Sequence, residues 1–307
     1  KAIFDHRCKN WKSLDYVAGW FMKAADYGTE AKATAAFVST NSITQGEQVA
    51  VLWQALMGQG LHIRFAHRTF RWNNEGAGVA AVHCVIVGMT LNKPAKCKLW
   101  DYGDGIGSEP RPVPARRING YLVDAPLVFL DKRRQSICDA PEIGIGNKPI
   151  DDGNYLFTTE ERDAFIAAEP ASAKWFRRWL GADEFINRYE RWCLWLGSCP
   201  ETELQSMPLS LQRVEAVRAF RLASKSAPTQ KLAENPTRFH VENVPTSTYM
   251  LIPRVSSERR RFIPMGYIDS TTMTSDSAHI VIGTTPFHFG LLSSTMHNAW
   301  VRSTCGQ

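Results

Sequence analysis

The chain has 307 residues, a formal net charge of +6 and 44% hydrophobic residues. This length allows one large domain or two ordinary ones, and the near-average composition excludes a disordered or fibrous protein. A membrane span is also excluded, because no apolar run approaches the roughly 20 residues of a membrane helix. Secretion is not indicated, because the first residues lack the apolar core and the cleavage site of a signal peptide.

The first third of the sequence has the pattern of an alternating α/β protein. Apolar side chains recur at helical spacing over Leu14–Tyr27, and a short buried strand is predicted at Ala35–Thr40. A second helix follows at Glu47–Met57. Two strands, Leu61–Phe70 and Val79–Met89, then form a hairpin with a long polar loop. This order predicts the second half of a mostly parallel sheet that ends in an antiparallel pair.

A segment rich in glycine, proline and charge, Asp101–Pro114, is interpreted as a linker. Its GDGIG run has neither the spacing nor the following helix of a nucleotide-binding loop. We therefore predict two domains, residues 1–110 and residues 111–307. The second domain opens with a strand-like run, Tyr121–Leu130, and continues into a helix for which Thr159 is the predicted N-cap.

The rest of the second domain alternates short strands with helices, which predicts an α+β fold. Arg191–Leu196 is aromatic-rich and is predicted to be a buried strand, and Leu209–Lys225 has helical spacing. Three more strands are predicted, at Thr248–Val255, Arg260–Ile268 and His279–Thr284.

Cysteine and histidine usage argues against a disulfide framework and against a metal site. The seven cysteines are odd in number and scattered, without a CxxC pair, and the histidines form no HExxH motif. We therefore expect a cytoplasmic protein without a bound metal.

One segment carries an excess of positive charge equal to that of the whole chain. Ten Lys or Arg residues stand against four Glu between Gln205 and Phe262. Arg218, Arg221 and Lys225 lie within about 60° of one another on the predicted helix, so they form a basic stripe. The alternative interpretation is a solvated helix face followed by a charged loop.

Several segments, taken in order, resemble one enzyme family. The early ones are LDYVAGWFMKAADY, FVSTNSITQGEQVAVLW and FAHRTFRWNNEGAGVAAVHCVIVGM, and the later ones are RRINGYLVDAP, GNKPIDDGNYLFT, RWCLWL, FRLASKSAPTQKLAENPTRF, LIPRVSSERRRFIPMGYI and FHFGLLSSTMHNAWVRSTCG. The early group resembles the later methyltransferase motifs of the MmeI-like (type IIL) restriction-modification enzymes, and the late group resembles their target recognition domain. The resemblance spans essentially the whole chain and rests on the number and order of the segments.

This resemblance implies the C-terminal portion of a class I (Rossmann-like) methyltransferase fold, followed by a mixed α+β target recognition domain that binds double-stranded DNA. The implied activity is adenine-specific DNA methylation from S-adenosylmethionine. The sequence has no FxGxG cofactor loop, no NPPF or NPPY motif and no PD-ExK nuclease. We therefore expect the cofactor-binding and nuclease regions upstream of Lys1 in a parent polypeptide, and a helical tail after Gln307. This chain alone is then expected to contain no catalytic residue, to bind no S-adenosylmethionine and to be inactive.

An aromatic residue before the last hairpin is the predicted partner of a flipped base. A methyltransferase must take its target base out of the duplex and replace the lost stacking. Related adenine methyltransferases place such an aromatic residue in the loop before the last hairpin, so the resemblance implies that Trp72, with Phe70 as second choice, stacks on that base. Ordinary packing at a strand end is the alternative.

DNA contacts are predicted in the basic segment. Phosphate contacts are assigned to cations and neutral donors: Arg218, Arg221, Lys225, Ser224, Ser226 and Thr229. Base readout needs side chains that match base edges, and it is assigned to Glu258 and Arg260, with Arg259 and Arg254 beside them. A structural ion pair at a domain joint is the alternative for Glu258 and Arg260.

Two other functions fit the same residues. One is a DNA-binding specificity subunit that acts with a separate methyltransferase chain, and an FxGxG and an NPPF upstream in the same reading frame would exclude it. The other is a phage or plasmid protein that binds nucleic acid without a methylation role, and base-specific methylation in the source genome would exclude that.

Overall fold

The computed structural model describes residues 3–4, 7–72, 82–103, 109–133, 135–257 and 260–305. The chain divides into two compact units, Lys1–Gln135 with Ala299–Gln307, and Ser136–Asn298. None of the described helices is long and apolar enough to cross a membrane.

The first unit is a five-stranded mixed sheet with two α-helices. Its elements are α1 (Ala18–Ala31), β1 (Ala35–Thr40), α2 (Gly46–Gly58), β2 (His62–Trp72), β3 (Val82–Thr90), β4 (Cys97–Asp101) and β5 (Arg111–Ala115). The strand order is β1-β3-β2-β4-β5, with β3 antiparallel to both of its neighbours and β4 parallel to β2. Because both neighbours oppose β3, β1 and β2 run parallel to each other. The strand predicted at Ala35–Thr40, the helix predicted at Glu47–Met57 and the antiparallel pair that follows them are confirmed.

One face of this sheet packs against the two helices. Val85 and Val87, two residues apart on β3, are completely buried together with Phe21 of α1 and Trp53 of α2. The indole of Trp53 also donates a hydrogen bond to the carbonyl of Ile43 at 2.7 Å. Period-two burial on the strand and helical spacing on α1 and α2 therefore build one core. The opposite face of the sheet carries the candidate site.

The predicted linker contributes to the sheet at both of its ends. β4 ends at Asp101, β5 begins at Arg111, and the two strands pair antiparallel with Leu99 opposite Val113. The first compact unit continues to Gln135. The functional boundary after residue 110 stays a prediction.

The strand predicted at Tyr121–Leu130 is absent, and a turn occupies its beginning. The side-chain oxygen of Asn119 accepts hydrogen bonds from the backbone N–H groups of Tyr121 at 3.0 Å and Val123 at 3.3 Å. Leu122 adopts a φ of 55°. The apolar pattern predicted a strand because it takes no account of an Asn that offers the backbone these alternative bonds.

The second unit contains two four-stranded sheets and shorter helices. Its elements, the last of which extends past Asn298, are β6 (Ile143–Ile145), β7 (Leu156–Phe157), α3 (Thr159–Ala168), β8 (Phe176–Leu180), α4 (Ala182–Asn187), β9 (Arg191–Leu194), α5 (Glu201–Leu204), α6 (Pro208–Leu222), α7 (Ala227–Lys231), β10 (Tyr249–Pro253), β11 (Gly266–Ile268), β12 (Met273–Thr274), β13 (Ala278–Ile282), α8 (Pro286–Leu292) and α9 (Thr295–Thr304). The strand orders are β11-β10-β13-β6 and β12-β8-β9-β7. The mixed α+β class is confirmed.

Local sequence explains several of these elements. The buried strand predicted from RWCLWL is β9, where Cys193 and Leu194 are completely buried. Helix α3 begins with a capping box, in which the hydroxyl of Thr158 accepts from the N–H of Glu161 at 3.2 Å and the Glu161 carboxylate accepts from the N–H of Thr158 at 2.8 Å. The N-cap is therefore Thr158, one residue before the predicted Thr159.

Candidate DNA interface

A row of aromatic side chains lies on the face of the first unit's sheet that is turned away from the helices. Trp72, at the end of β2, is 47% exposed, and its ring centroid lies 6.3 Å from that of Phe70. Phe70 stacks on Tyr102 at 5.1 Å, and His67 stacks on Trp100 at 4.5 Å. These five rings form what we call the aromatic row. It ends in an exposed indole, the type of surface on which an extruded base can stack.

A β-bulge explains why these rings share one face. His67 pairs with Ile86 and Phe70 pairs with Cys84, so β2 advances three residues while β3 advances two. In a regular strand, side chains three residues apart point to opposite faces. The extra residue returns Phe70 and Trp72 to the face of His67.

Sequence reasoning identified Phe70 and Trp72 but missed Trp100 and Tyr102. The signal was present, because these two aromatic residues stand two positions apart at the end of a strand. The Nδ1 of His67 lies 2.9 Å from the hydroxyl of Tyr102. Burial lowers the pKa of His67, which favours a neutral imidazole within the row at neutral pH.

Arg221 does not belong to a basic surface, and its prediction as a phosphate contact is wrong. The side chain is completely buried. Its guanidinium donates five hydrogen bonds of 2.8–3.2 Å to the carbonyl oxygens of Pro149, Ile150, Leu232, Asn235 and Arg238. The helical wheel shows which residues share a face of α6, but it does not show that two other segments of the unit cover this face.

The other two residues of the predicted basic stripe, Arg218 and Lys225, do not form one surface either. Arg218 is half-buried, with its Nε 3.3 Å from Glu215 and its Nη1 donating to the carbonyl of Ala233 at 3.4 Å. Helix α6 ends at Leu222, so Lys225 lies beyond it and does not share its wheel. Lys225 is exposed, and no described residue forms an ion pair or a side-chain hydrogen bond with it.

Lys225 lies in a turn together with the predicted neutral donors. The hydroxyl of Ser224 accepts from the N–H of Ser226 at 3.2 Å, and the Ser224 carbonyl accepts from Gln230 at 2.8 Å. Ser226 is exposed, whereas Ser224 and Thr229 are half-buried. The structure thus brings Ser224, Lys225 and Ser226 to one surface, and their contacts with phosphate stay a prediction.

The predicted base-reading residues fall in the loop between β10 and β11, residues 254–265, which we call the β10–β11 loop. Glu258 and Arg259 lie outside the described residues. Arg260 is exposed, its N–H donates to the carbonyl of Ser257 at 3.0 Å, and it does not belong to a strand because β11 begins only at Gly266. Arg254 is exposed as well, and its Nη1 donates to the carbonyl of Asp276 at 3.1 Å. Base readout by this loop stays a prediction.

No cluster of three or more His, Cys, Asp or Glu side chains that could hold a metal ion occurs in the described parts of the chain. The first unit carries an exposed indole at the end of its aromatic row, and the second unit, by itself, carries exposed basic side chains in a loop and a turn.

Comparison with known proteins gives the family. The DNA-methyltransferase domain of MmeI matches residues 1–101, and the target recognition domain of MmeI matches residues 124–307. The chain therefore belongs to the MmeI family of restriction-modification enzymes. The domain boundary predicted after residue 110 lies in the interval between the two matches.

Two similar proteins extend this comparison. DNA methyltransferase A of Bacillus subtilis (strain 168) is 36% identical over 301 residues, which are 98% of this chain and 34% of that protein. The solved structure of the Type IIL restriction-modification enzyme MmeI in complex with DNA is 48% identical, with a TM-score of 0.95 over 100% of this chain and 41% of that one. The chain thus spans between a third and a half of the length of these relatives.

Proposed function

We propose that this chain supplies the DNA-recognition part, and a portion of the base-binding part, of an adenine-specific DNA methyltransferase in a restriction-modification system. The observation that carries this proposal is the match of two MmeI domains, methyltransferase and then target recognition, in order along one chain. Their presence in one chain also favours a fused enzyme over a specificity subunit that acts with a separate methyltransferase.

S-adenosylmethionine is the methyl donor that this assignment implies, and the residues of this chain do not fit a complete site for it. The sequence has no FxGxG loop to surround the cofactor and no NPPF or NPPY to hold the adenine amino group. We therefore propose that upstream regions of the full-length polypeptide bind the cofactor and carry the nuclease. The proposed compartment is the cytoplasm, where both the DNA and this donor are available.

Each part of the site has a proposed task. Trp72 stacks on the extruded adenine, and Phe70 supports it from the row behind. Lys225 neutralises a phosphate of the duplex, and Ser224, Ser226 and Thr229 are neutral phosphate donors near it. Arg218 is a secondary phosphate contact because its guanidinium already has protein partners.

The β10–β11 loop is proposed to read base edges. Arg260 matches the two acceptors of guanine and Glu258 matches the amino group of cytosine, so the pair suits opposite edges of one G·C pair. Arg259 is a further candidate. Arg254 starts the loop, and its bond to the Asp276 carbonyl leaves other N–H groups for DNA.

Selection from a pool of randomised duplexes tests the proposal. The chain is mixed with the pool, and the bound DNA is sequenced; the proposal expects one enriched motif. Exchange of the two charges, Glu258→Arg with Arg260→Glu, is expected to change the preferred base pair at one position and to leave the others unchanged. A pool without any enriched motif contradicts DNA recognition by this chain. An unchanged motif in the charge exchange, with single variants that lose stability, supports the ion-pair alternative.

A salt titration separates phosphate contacts from base contacts. Lys225→Ala is expected to lower the slope of log affinity against log salt by about 0.9 and to weaken all duplexes alike. Lys93→Ala, which removes an exposed lysine of the first unit, is the matched control and should leave the slope unchanged. The same slope in Lys225→Ala and in the unaltered chain would remove Lys225 from the interface.

A further inference from the structure

The end of the β10–β11 loop is attached to a buried amide. Asn298, in the first turns of α9, is only 4% exposed, and its Oδ1 accepts a hydrogen bond from the backbone N–H of Ile263 at 3.0 Å. Its Nδ2 donates to the carbonyl of Ser294 at 2.8 Å and lies 3.4 Å from that of Leu292. Because the amide nitrogen already faces two carbonyl acceptors, the oxygen is the atom left to face Ile263.

The beginning of the loop is attached as well. The N–H of Arg254 donates to the carbonyl of Ser277 at 3.0 Å, and its guanidinium donates to the carbonyl of Asp276. Between these two attachments the loop exposes apolar as well as basic side chains, since Val255 is 76% exposed and Phe262 is 41% exposed. Both ends of the loop are therefore held, while Val255, Arg260 and Phe262 between them are exposed.

Hydrogen bonds in the corner between α8 and α9 hold the segment that carries Asn298 in place. The Nδ1 of His297 lies 2.7 Å from the carbonyl of Leu292, and the N–H of His297 donates to the Ser294 hydroxyl at 3.2 Å. Phe289 of α8 stacks on Tyr267 of β11 with ring centroids 6.1 Å apart. The corner is thus joined both to the loop and to the strand that follows it.

We infer that Asn298 is a positioning residue for base recognition, which acts through Arg260 and does not touch DNA itself. A two-pronged contact with a base edge needs the side chain to be held within about 0.5 Å of its productive place, and loops hold side chains less well than strands. Arg260 precedes Ile263 by three residues, so the bond to Asn298 limits the freedom of the reading side chain. This inference rests on the proposed function, and in particular on readout by Arg260.

The test uses the randomised duplex pool with four variants of the chain. Asn298→Ala is expected to lower the base preference at least about fivefold at the position that Arg260→Ala also affects, because fivefold is the lower limit for the loss of a two-pronged contact. The preferences at the other positions and the salt slope should be unchanged. In the double variant, which combines Asn298→Ala with Arg260→Ala, the base preference should be no lower than in Arg260→Ala alone, because the two residues act through one contact. Asn147→Ala is the matched control: Asn147 is also buried, and its amide donates to the carbonyls of Asn243 at 3.0 Å and Thr274 at 2.9 Å. It should leave every base preference unchanged.

Two conservative variants keep the test decisive if Asn298→Ala does not fold. Ile263→Val retains the backbone N–H that donates to Asn298 and shortens an apolar side chain by one methylene, so the preference should be retained. Asn298→Gln retains both polar groups but moves them by one methylene, so the preference should fall. Equal preference in both variants contradicts the inference, as does an additive loss in the double variant. An unchanged motif in Arg260→Ala contradicts the proposed readout as well, so the two failures are distinguishable.

Discussion

Replacement of Arg221 by methionine tests whether the second unit depends on a cation in its interior. Methionine has a similar length and no donor, so it would leave the five carbonyl oxygens around the guanidinium without their partners. Burial lowers the pKa of Arg221, but an arginine so surrounded by acceptors stays protonated. The substitution therefore removes all five donors at once.

The expected loss follows from these contacts. A hydrogen bond to a charged group contributes about 1.5–3 kcal/mol, and an unsatisfied buried acceptor costs about 1–3 kcal/mol. Water reaches some of the five oxygens after the change. In addition, Ile150 is held at a φ of 52°, and relaxation of this strain returns about 1–3 kcal/mol. We expect a net loss of at least about 4 kcal/mol in the free energy of unfolding, which is in the exceptional range for one substitution.

Urea unfolding, followed by tryptophan fluorescence and circular dichroism, measures this loss. Because a chain of two units can unfold in two steps, only the step of the second unit should shift. Arg221→Lys should lie between methionine and arginine, since an ammonium group has three donors. Lys225→Ala is the control and should change stability by less than about 0.5 kcal/mol. Unchanged unfolding of Arg221→Met, with a salt slope lowered by about 0.9, would instead show a phosphate contact.

Three other substitutions test the first unit. Trp72→Ala in the full-length protein should lower methylation more than DNA affinity, since stacking matters only after the base leaves the duplex. The fluorescence of 2-aminopurine at the target position reports extrusion of the base. Equal extrusion and turnover in the variant and the unaltered protein would contradict the stacking role. Gly88→Ala places a Cβ 2.0 Å from the Phe65 ring and should destabilise the unit by about 1–3 kcal/mol, so an unaltered melting temperature would refute this packing. A hydrogen bond from Ser42 holds the pKa of Asp15 low. The resulting stabilisation of the fold is present above the pKa of Asp15 in the unfolded chain, and it is lost as the pH falls through the pKa in the folded chain. Ser42→Ala should therefore raise the pKa of Asp15 and reduce stability at pH 7 but not below both pKa values; an unshifted Asp15 titration in NMR would contradict this.

Local periodicity predicted the elements whose side chains alternate between a core and solvent. Ala35–Thr40 was predicted with its observed bounds, and its burial alternates along the strand. The strand of RWCLWL was predicted within two residues from its aromatic content, and Cys193 to Leu196 are all buried. Helix α2 was predicted from apolar side chains with a period of 3.6. These patterns reflect contacts that each segment makes through one face, so they can be read without knowledge of the partner.

The features that could not be predicted depend on residues distant in the chain. Arg221 is covered by segments around Ile150 and Asn235, which no helical wheel represents. The aromatic row needs a bulge in β2 and a neighbouring strand that brings Tyr102 against Phe70. The family resemblance of the ordered segments indicated DNA recognition, but tertiary contacts decide which side chains remain at the surface.

The central claim is that the full-length protein methylates adenine at a DNA site selected by this chain. Long-read sequencing of DNA from a methylation-deficient host that expresses the full-length protein tests it most directly. We expect N6-methyladenine in one motif, and a motif altered at one base pair when the charges of Glu258 and Arg260 are exchanged. Absence of modified adenine from DNA of a host in which the intact protein is produced would contradict the account.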